Sequence, residues 1–291
     1  MRLIKKIAPV VIMVIGLTLV LYPWISEYLY EYGVQSLVES YESDNSDMDD
    51  SEIEEQLRLA QEYNKALLMA NIKLTDPFSL EDQAGGEYNY ESILNYNKNG
   101  VMGFIDIPKI DVYLPIYHGT SNEVLEKGIG HLENTSFPIG GESTHAVISG
   151  HTGLNSAKMF TDLTSMELDD QFYIDILGNT LAYKVINIEV VEPDDVSSLS
   201  IQDGKDLVTL VTCTPYGINS HRLLVTGERT EYTKDEHDAF KVSGDTEWMK
   251  SYERAILIGL ALVIVLFVFS EFVKLIRSKI SVGGKNETKN H

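Results

Sequence analysis

Between residues 101 and 230 the chain is written in short apolar runs broken by turn formers, and this constrains the fold more than any other feature of its 291 residues. Pro108, Asp111, Pro115 and Gly119 punctuate the first runs. Runs at 146–148, 172–176, 181–188 and 190–191 follow, with Gly178-Asn179 expected to make a hairpin turn. Many short strands with few long helical patterns predict a mainly β domain, a closed barrel or a sandwich. No internal repeat competes with that reading.

The stretch 206–229, DLVTLVTCTPYGINSHRLLVTGER, holds the only cysteine, Cys213. Residues 207–211 read as a buried strand, Pro215, Gly217 and Asn219 interrupt it, and 222–226 resume the pattern, which makes a hairpin with a loop. Cys213 then ends one strand and Arg222 begins the next, so the two side chains face each other across the pair. A thiol beside a fixed positive charge follows. On these two residues alone, a small buried core cysteine beside a solvated strand end is the plainer alternative.

Composition narrows the class. A net charge of −21 argues against a nucleic-acid partner, and 44% apolar residues suffice for a substantial core. One cysteine makes no internal disulfide, so location rests on the apolar segments. Residues 7–26 carry no charge over the length of a membrane-spanning helix and follow Arg2, Lys5 and Lys6, which predicts a cytoplasmic amino terminus. A cleaved signal peptide is the competing reading, although Tyr22, Pro23 and Trp24 stand where a small-residue cleavage site is required. A second, shorter run covers 255–270, with Arg254 and Glu271 at its borders. It reads as a span whose ends snorkel, or as a buried core helix. Lys274, Arg277, Lys279, Lys285 and Lys289 after it mark a cytoplasmic tail, so residues 27–254 are expected outside the membrane.

Residues 39–55 are rich in Asp, Glu and Ser and are expected to be mostly solvated spacer. Their carboxylates lack the spacing and central glycine of a calcium loop. Ser51 and Glu54 form a capping-box pattern, after which Ile53, Leu57, Ala60, Asn64 and Leu67 recur at helical spacing. In LTDPFSL, residues 74–80, Pro77 stiffens a turn and holds Asp76 extended. His151 stands in SGHTG just past the 146–148 strand, at a strand exit. His118, His131, His145 and His221 carry no comparable signal and read as structural or solvated.

TLVTC followed by an arginine in the next strand resembles the signature of sortases, the cysteine transpeptidases of Gram-positive surfaces. GFIDIPKIDVYLPIYHGT (103–120), AVISGHTG (146–153) and TCTPYGINSHRLLVTGER (212–229) resemble the core of the class C, pilus-assembling sortases. The resemblance covers most of residues 72–230. It implies an eight-stranded barrel with short peripheral helices, Cys213 as nucleophile, His151 as acid and base, and Arg222 as the donor to the developing oxyanion. Asp76, Pro77 and Phe78 match the family's lid, with phenylalanine where tryptophan is more usual. Asp76 is expected to pair with Arg222 and Phe78 to cover Cys213. The implied substrate is an LPxTG-type sorting signal, cleaved between threonine and glycine. The implied partners are pilin subunits with acceptor lysines and the membrane lipid, and no metal or organic cofactor is implied. A cysteine protease or a wall-anchoring sortase using a peptidoglycan amine shares the same three residues. A non-catalytic surface module is the rival of another class and requires an unreactive Cys213.

The expected division is an anchor (1–26), spacer and amphipathic helix (27–71), lid and connector (72–100), catalytic barrel (101–232), linker (233–254), second span (255–273) and basic tail (274–291), with the barrel extracellular.

Overall fold

In the computed structural model, which describes residues 2–70, 74–79, 90–153, 157–234, 237, 257–259 and 261, eight strands close on themselves. They are β1 (Val101–Ile107), β2 (Val112–His118), β3 (Ile129–His131), β4 (Thr144–Ser149), β5 (Gln171–Ile176), β6 (Asn179–Val191), β7 (Asp206–Thr214) and β8 (His221–Thr230). The order around the barrel is β1-β2-β3-β4-β7-β8-β6-β5, and β5 returns to β1. The β2/β3 and β4/β7 pairs are parallel and the rest antiparallel. Of the barrel and sandwich alternatives, the barrel is the observed one. Residues 1–246 form one compact unit and 247–291 a second, in which 257–259 and 261 are helical.

The sequence-based strands are all present, with two adjustments. The runs at 181–188 and 190–191 belong to the single strand β6, which bulges between Val185 and Asn187. The hairpin turn before it is Leu177-Gly178 rather than Gly178-Asn179, because Ile176 pairs with Asn179 and the positive φ values, 48° and 78°, fall on Leu177 and Gly178. Two successive left-handed residues match the right-handed twist of the flanking strands. Leucine is held there by burial and by the Tyr41 hydroxyl, which accepts its N–H at 3.0 Å.

Helix α1 (Arg2–Asp47) corrects the spacer expectation, since it continues unbroken through the start of the acidic run. Its inward stripe docks on the barrel. Tyr41 packs edge-on against Phe104 with ring centroids 5.2 Å apart and donates to the Met102 carbonyl at 3.1 Å. This part of the outer face of β1 is therefore covered by α1, while Asp106 farther along is paired with His237 at 2.8 Å, and every residue of the strand is buried. Helix α2 (Asp50–Met69) begins at Asp49, not Ser51. The Asp49 carboxylate accepts from Glu52 N at 2.9 Å while Glu52 reaches back to Asp49 N, and Ser51 donates to Asp49 at 2.6 Å. A carboxylate at the helix N-terminus complements the helix dipole, and the serine hydroxyl serves it. Ala60, Asn64 and Leu67 are buried as the spacing predicted, Ile53 and Leu57 are half-buried, and Tyr63, which the spacing did not single out, joins the buried face. Asn64 pairs with both backbone groups of Phe137, at 3.1 and 2.7 Å, and so satisfies a loop that no strand reaches. A buried side chain such as Leu67 contributes about 1.5–3 kcal/mol to this packing.

The first uncharged run, 7–26, lies within α1, and the second, 255–270, falls almost entirely outside the described residues. Among the described residues no helix is long and apolar enough to cross a membrane.

Candidate active site

Strand register brings the three predicted residues together. Cys213 and Arg222 are direct cross-strand partners in the β7/β8 pair. In the parallel β4/β7 pair Ser149 stands beside Val211, and two residues farther along each chain come His151 and Cys213. Cys213 and Arg222 thus form one rung of the β7/β8 pair, and His151 stands two residues past the end of β4 at the same end of the barrel. Neighbouring strands lie about 4.8 Å apart, so the three side chains share one mouth of the barrel.

The backbone past β4 is tied to β7 at this rung. Gly150 N donates to the Val211 carbonyl at 3.0 Å, and the Thr212 hydroxyl donates to the Gly150 carbonyl at 2.7 Å. Thr152 and Thr212 share a hydroxyl hydrogen bond at 2.9 Å. The loop then folds back, and Phe160 N donates to the His151 carbonyl at 3.1 Å. Sequence reasoning missed Thr212, Thr152 and Phe160. Thr212 carried a readable signal: it adjoins Cys213 on the opposite face of the strand, where a buried hydroxyl requires a partner.

Asp76, Pro77 and Phe78 lie over this rung. Arg222 holds the Asp76 carboxylate through Nε at 2.9 Å and Nη2 at 2.6 Å, with both side chains nearly buried. The remaining Arg222 nitrogen, Nη1, donates to the carbonyls of Asn219 and His221. The Phe78 ring lies 5.8 Å from the His151 ring and 5.0 Å from the Arg222 guanidinium carbon. It therefore bridges histidine and arginine. Leu74 and Phe78 pack on the cluster of Leu132, Val147, Leu199, Val211 and Leu224, and Pro77 is buried. Phe78 N also donates to Asp76 Oδ1 at 3.3 Å, which closes the turn on itself.

Electrostatics in this closed arrangement favour neutral groups. Burial pushes the Cys213 thiol up; Arg222 opposes this and Asp76 adds to it. Burial pushes the His151 imidazole down, against the attraction of Glu126. Near neutral pH the resting pair is thiol and neutral imidazole.

Three further histidines, His118, His131 and His145, are buried in the scaffold. His131 is fully buried, and burial pushes it down to about 3, while its Nε2 donates to the Ser136 carbonyl at 2.8 Å. His145 is fully buried between Ser200 and Thr209, and His118 reaches the carbonyls of Gly100 and Ile93. His221 points outward to Glu192 at 3.2 Å. Among the described residues no group of three or more His, Cys, Asp or Glu side chains is placed to hold a metal ion. A cavity of about 620 Å³ lies between the end of α2, Leu74, the start of β4 and residues 196–203, remote from Cys213 along the strand.

Residues 105–230 match the family model described as the sortase domain. The chain is 46% identical to sortase C-1 of Streptococcus pneumoniae, covering 68% of this chain and 100% of that one, with a TM-score of 0.63. A second Streptococcus pneumoniae sortase C structure, described for its catalysis and pilin substrate specificity, is 43% identical over 68% of this chain and 98% of that one, with a TM-score of 0.62. Sortase D of Bacillus subtilis (strain 168) is 32% identical over 130 residues, which is 44% of this chain and 63% of the relative's length.

Proposed function

Because the chain belongs to the sortase family, we propose that it is a pilus-assembling cysteine transpeptidase of class C. The observation that carries this reading is the Cys213–Arg222 pair of β7/β8 with His151 just past the end of β4 beside it, covered by Asp76 on Arg222 and by Phe78 between Arg222 and His151. The substrate is an LPxTG-type sorting signal on a pilin subunit, and the acceptor is a lysine amine on another.

Once the lid has moved, His151 takes the Cys213 proton and the sulfur attacks the threonine carbonyl carbon. The C=O electron pair moves onto oxygen, and the Arg222 guanidinium donates to that oxyanion. Arginine suits this role because it stays charged and offers several donors in a fixed fork. The oxyanion collapses, the C–N bond to glycine breaks, and the His151 imidazolium protonates the leaving amine. A thioester on Cys213 remains. A neutral lysine ε-amine attacks it, loses a proton to His151, and expels the Cys213 sulfur, which recovers the proton. The product is an isopeptide bond.

The same reading places residues 7–26 and 255–273 in the membrane with the barrel on the extracellular side. Wall anchoring through a peptidoglycan amine uses the same acyl-enzyme; the acidic lid over Arg222 favours the pilin reading. The test is incubation of the full chain with candidate LPxTG-type pilins. A Cys213 thioester by mass spectrometry and lysine-linked ladders by gel are expected. A thioester resolved only by water or by a peptidoglycan amine would exclude polymerisation, and no thioester would exclude transpeptidation.

A further inference from the structure

We propose that Glu27 and Tyr30 of α1 position the loop that carries His151, so that the helix is part of the catalytic apparatus as well as its support. The proposal rests on the reading of His151 as acid and base.

Lys158 links the described residues on the two sides of the loop that carries His151. Its carbonyl accepts from both Thr161 N at 3.0 Å and the Thr161 hydroxyl at 2.5 Å, and that hydroxyl accepts from Gly153 N at 3.1 Å. Two residues beyond Lys158, Phe160 N reaches the His151 carbonyl at 3.1 Å. Any shift of Lys158 is therefore passed to His151 from both sides of the loop.

Lys158 is itself gripped from two directions. Its buried ammonium donates to the carbonyls of Ile110 and Asp111 and pairs with Asp162 at 3.5 Å. Its backbone N–H donates to Glu27 Oε1 on α1 at 3.4 Å. The next residue, Met159, is buried at a φ of 45°, a conformation that a residue with a side chain holds only when its surroundings impose it. Tyr30 supplies part of those surroundings. Its hydroxyl lies 3.7 Å from the Met159 sulfur and donates to the Lys127 carbonyl at 3.0 Å. The side of Lys158 and Met159 away from the barrel is thus set by side chains one helical turn apart on α1. Catalytic groups lose about a hundredfold in rate when misplaced by about 1 Å, so a loose contact here reaches the chemistry.

The test uses the full chain in membranes and a fluorogenic LPxTG-type peptide. For Glu27→Ala, kcat is expected to fall by about tenfold or more with KM within about twofold, because the nucleophile and lid are untouched. Amide exchange at Lys158 and Phe160 is expected to rise by about tenfold. Glu27→Gln keeps an oxygen that accepts the same N–H and is expected to restore both values. Tyr30→Phe is expected to fall between the two, and Glu39→Ala, on an exposed face of α1, to match the parent. A Glu27→Ala protein with unchanged kcat, or a Gln variant no better than Ala, overturns the proposal. If Cys213→Ala cleaves the peptide as fast as the parent, the functional reading fails instead, and exchange alone decides the positioning. Unchanged protection at Phe160 in Glu27→Ala would then overturn it.

Discussion

Asp76 and Arg222 are held together by two hydrogen bonds, of 2.9 and 2.6 Å, across 146 residues of sequence. Arg222 is also the cross-strand partner of Cys213, so one guanidinium faces the thiol and is neutralised by the lid. A carboxylate resting in that fork resembles the oxyanion the fork is proposed to receive. The lid and the reaction compete for the same donors.

Removing the lid contacts should expose a more acidic thiol. Burial raises the Cys213 pKa, Arg222 lowers it and Asp76 adds to the rise, so Asp76→Ala removes one of the two raising effects and leaves Arg222 opposed by burial alone. A charge-assisted pair is worth about 1.5–3 kcal/mol and the contact of Phe78 with the cation about 1 kcal/mol. Asp76→Ala should therefore raise the rate of Cys213 alkylation by iodoacetamide about tenfold, and Asp76→Ala with Phe78→Ala by up to about a hundredfold. The alkylation profile should also move to lower pH. Equal rates and profiles in parent and double variant would show that these residues do not gate the thiol.

Substitutions of Arg222 separate charge from geometry. Arg222→Ala should lower kcat by about a hundred- to a thousandfold, the usual cost of one oxyanion donor. Arg222→Lys should recover little of this, because an ammonium does not reproduce the fork. Full activity in either variant, measured by peptide cleavage, would remove Arg222 from the mechanism.

The hairpin that joins Cys213 to Arg222 was legible because β-branched runs, a proline-glycine loop and alternation all agreed on one register. The lid pairing of Asp76 with Arg222 came from resemblance, and no local pattern indicates a contact across 146 residues. The continuation of α1 was hidden because its docking stripe is thin: Tyr30, Val38 and Tyr41 stand among acids and serines, and composition outweighed spacing. Leu177 in a left-handed turn was equally concealed, since its stability comes from Tyr41, far away in sequence. The ring contacts of Phe78 with His151 and Arg222 depend on side-chain direction, which sequence does not carry.

The grip of α1 should depend on pH. Burial raises the Glu27 carboxyl from 4.5 to about 7, with Glu31 and Asp111 adding to the rise and Lys158 opposing it. The docked state therefore binds more protons than the undocked one between about pH 4.5 and 7, so this contribution to docking strengthens as pH falls through that window, is lost as pH rises through it, and changes no further above it. Amide exchange across α1 residues 27–41 should be slower at pH 5.5 than at pH 8 after correction for intrinsic rates. Glu27→Gln should abolish the difference, and a pH dependence that survives in that variant would assign it to another group.

Tyr41→Phe tests the same docking without touching the proposed mechanism. The hydroxyl donates to the Met102 carbonyl and accepts from Leu177 N, and the side chain is 8% exposed. Losing it leaves a buried N–H unpaired, which costs about 1–3 kcal/mol. A fall of that size in the urea unfolding free energy is expected, with KM for the peptide unchanged.

The absence of a break in α1 between the uncharged run and Tyr41 turns the helix into a ruler. At 1.5 Å per residue, Tyr30 stands about 6 Å and Tyr41 about 22 Å beyond residue 26. Under the proposed topology the barrel rides at a fixed height just above the lipid surface, with no slack to reach outward. On the proposed polymerisation reading, donor and acceptor subunits would have to meet at that height, so that each new bond would form at the foot of a fibre and push the older units away from the cell.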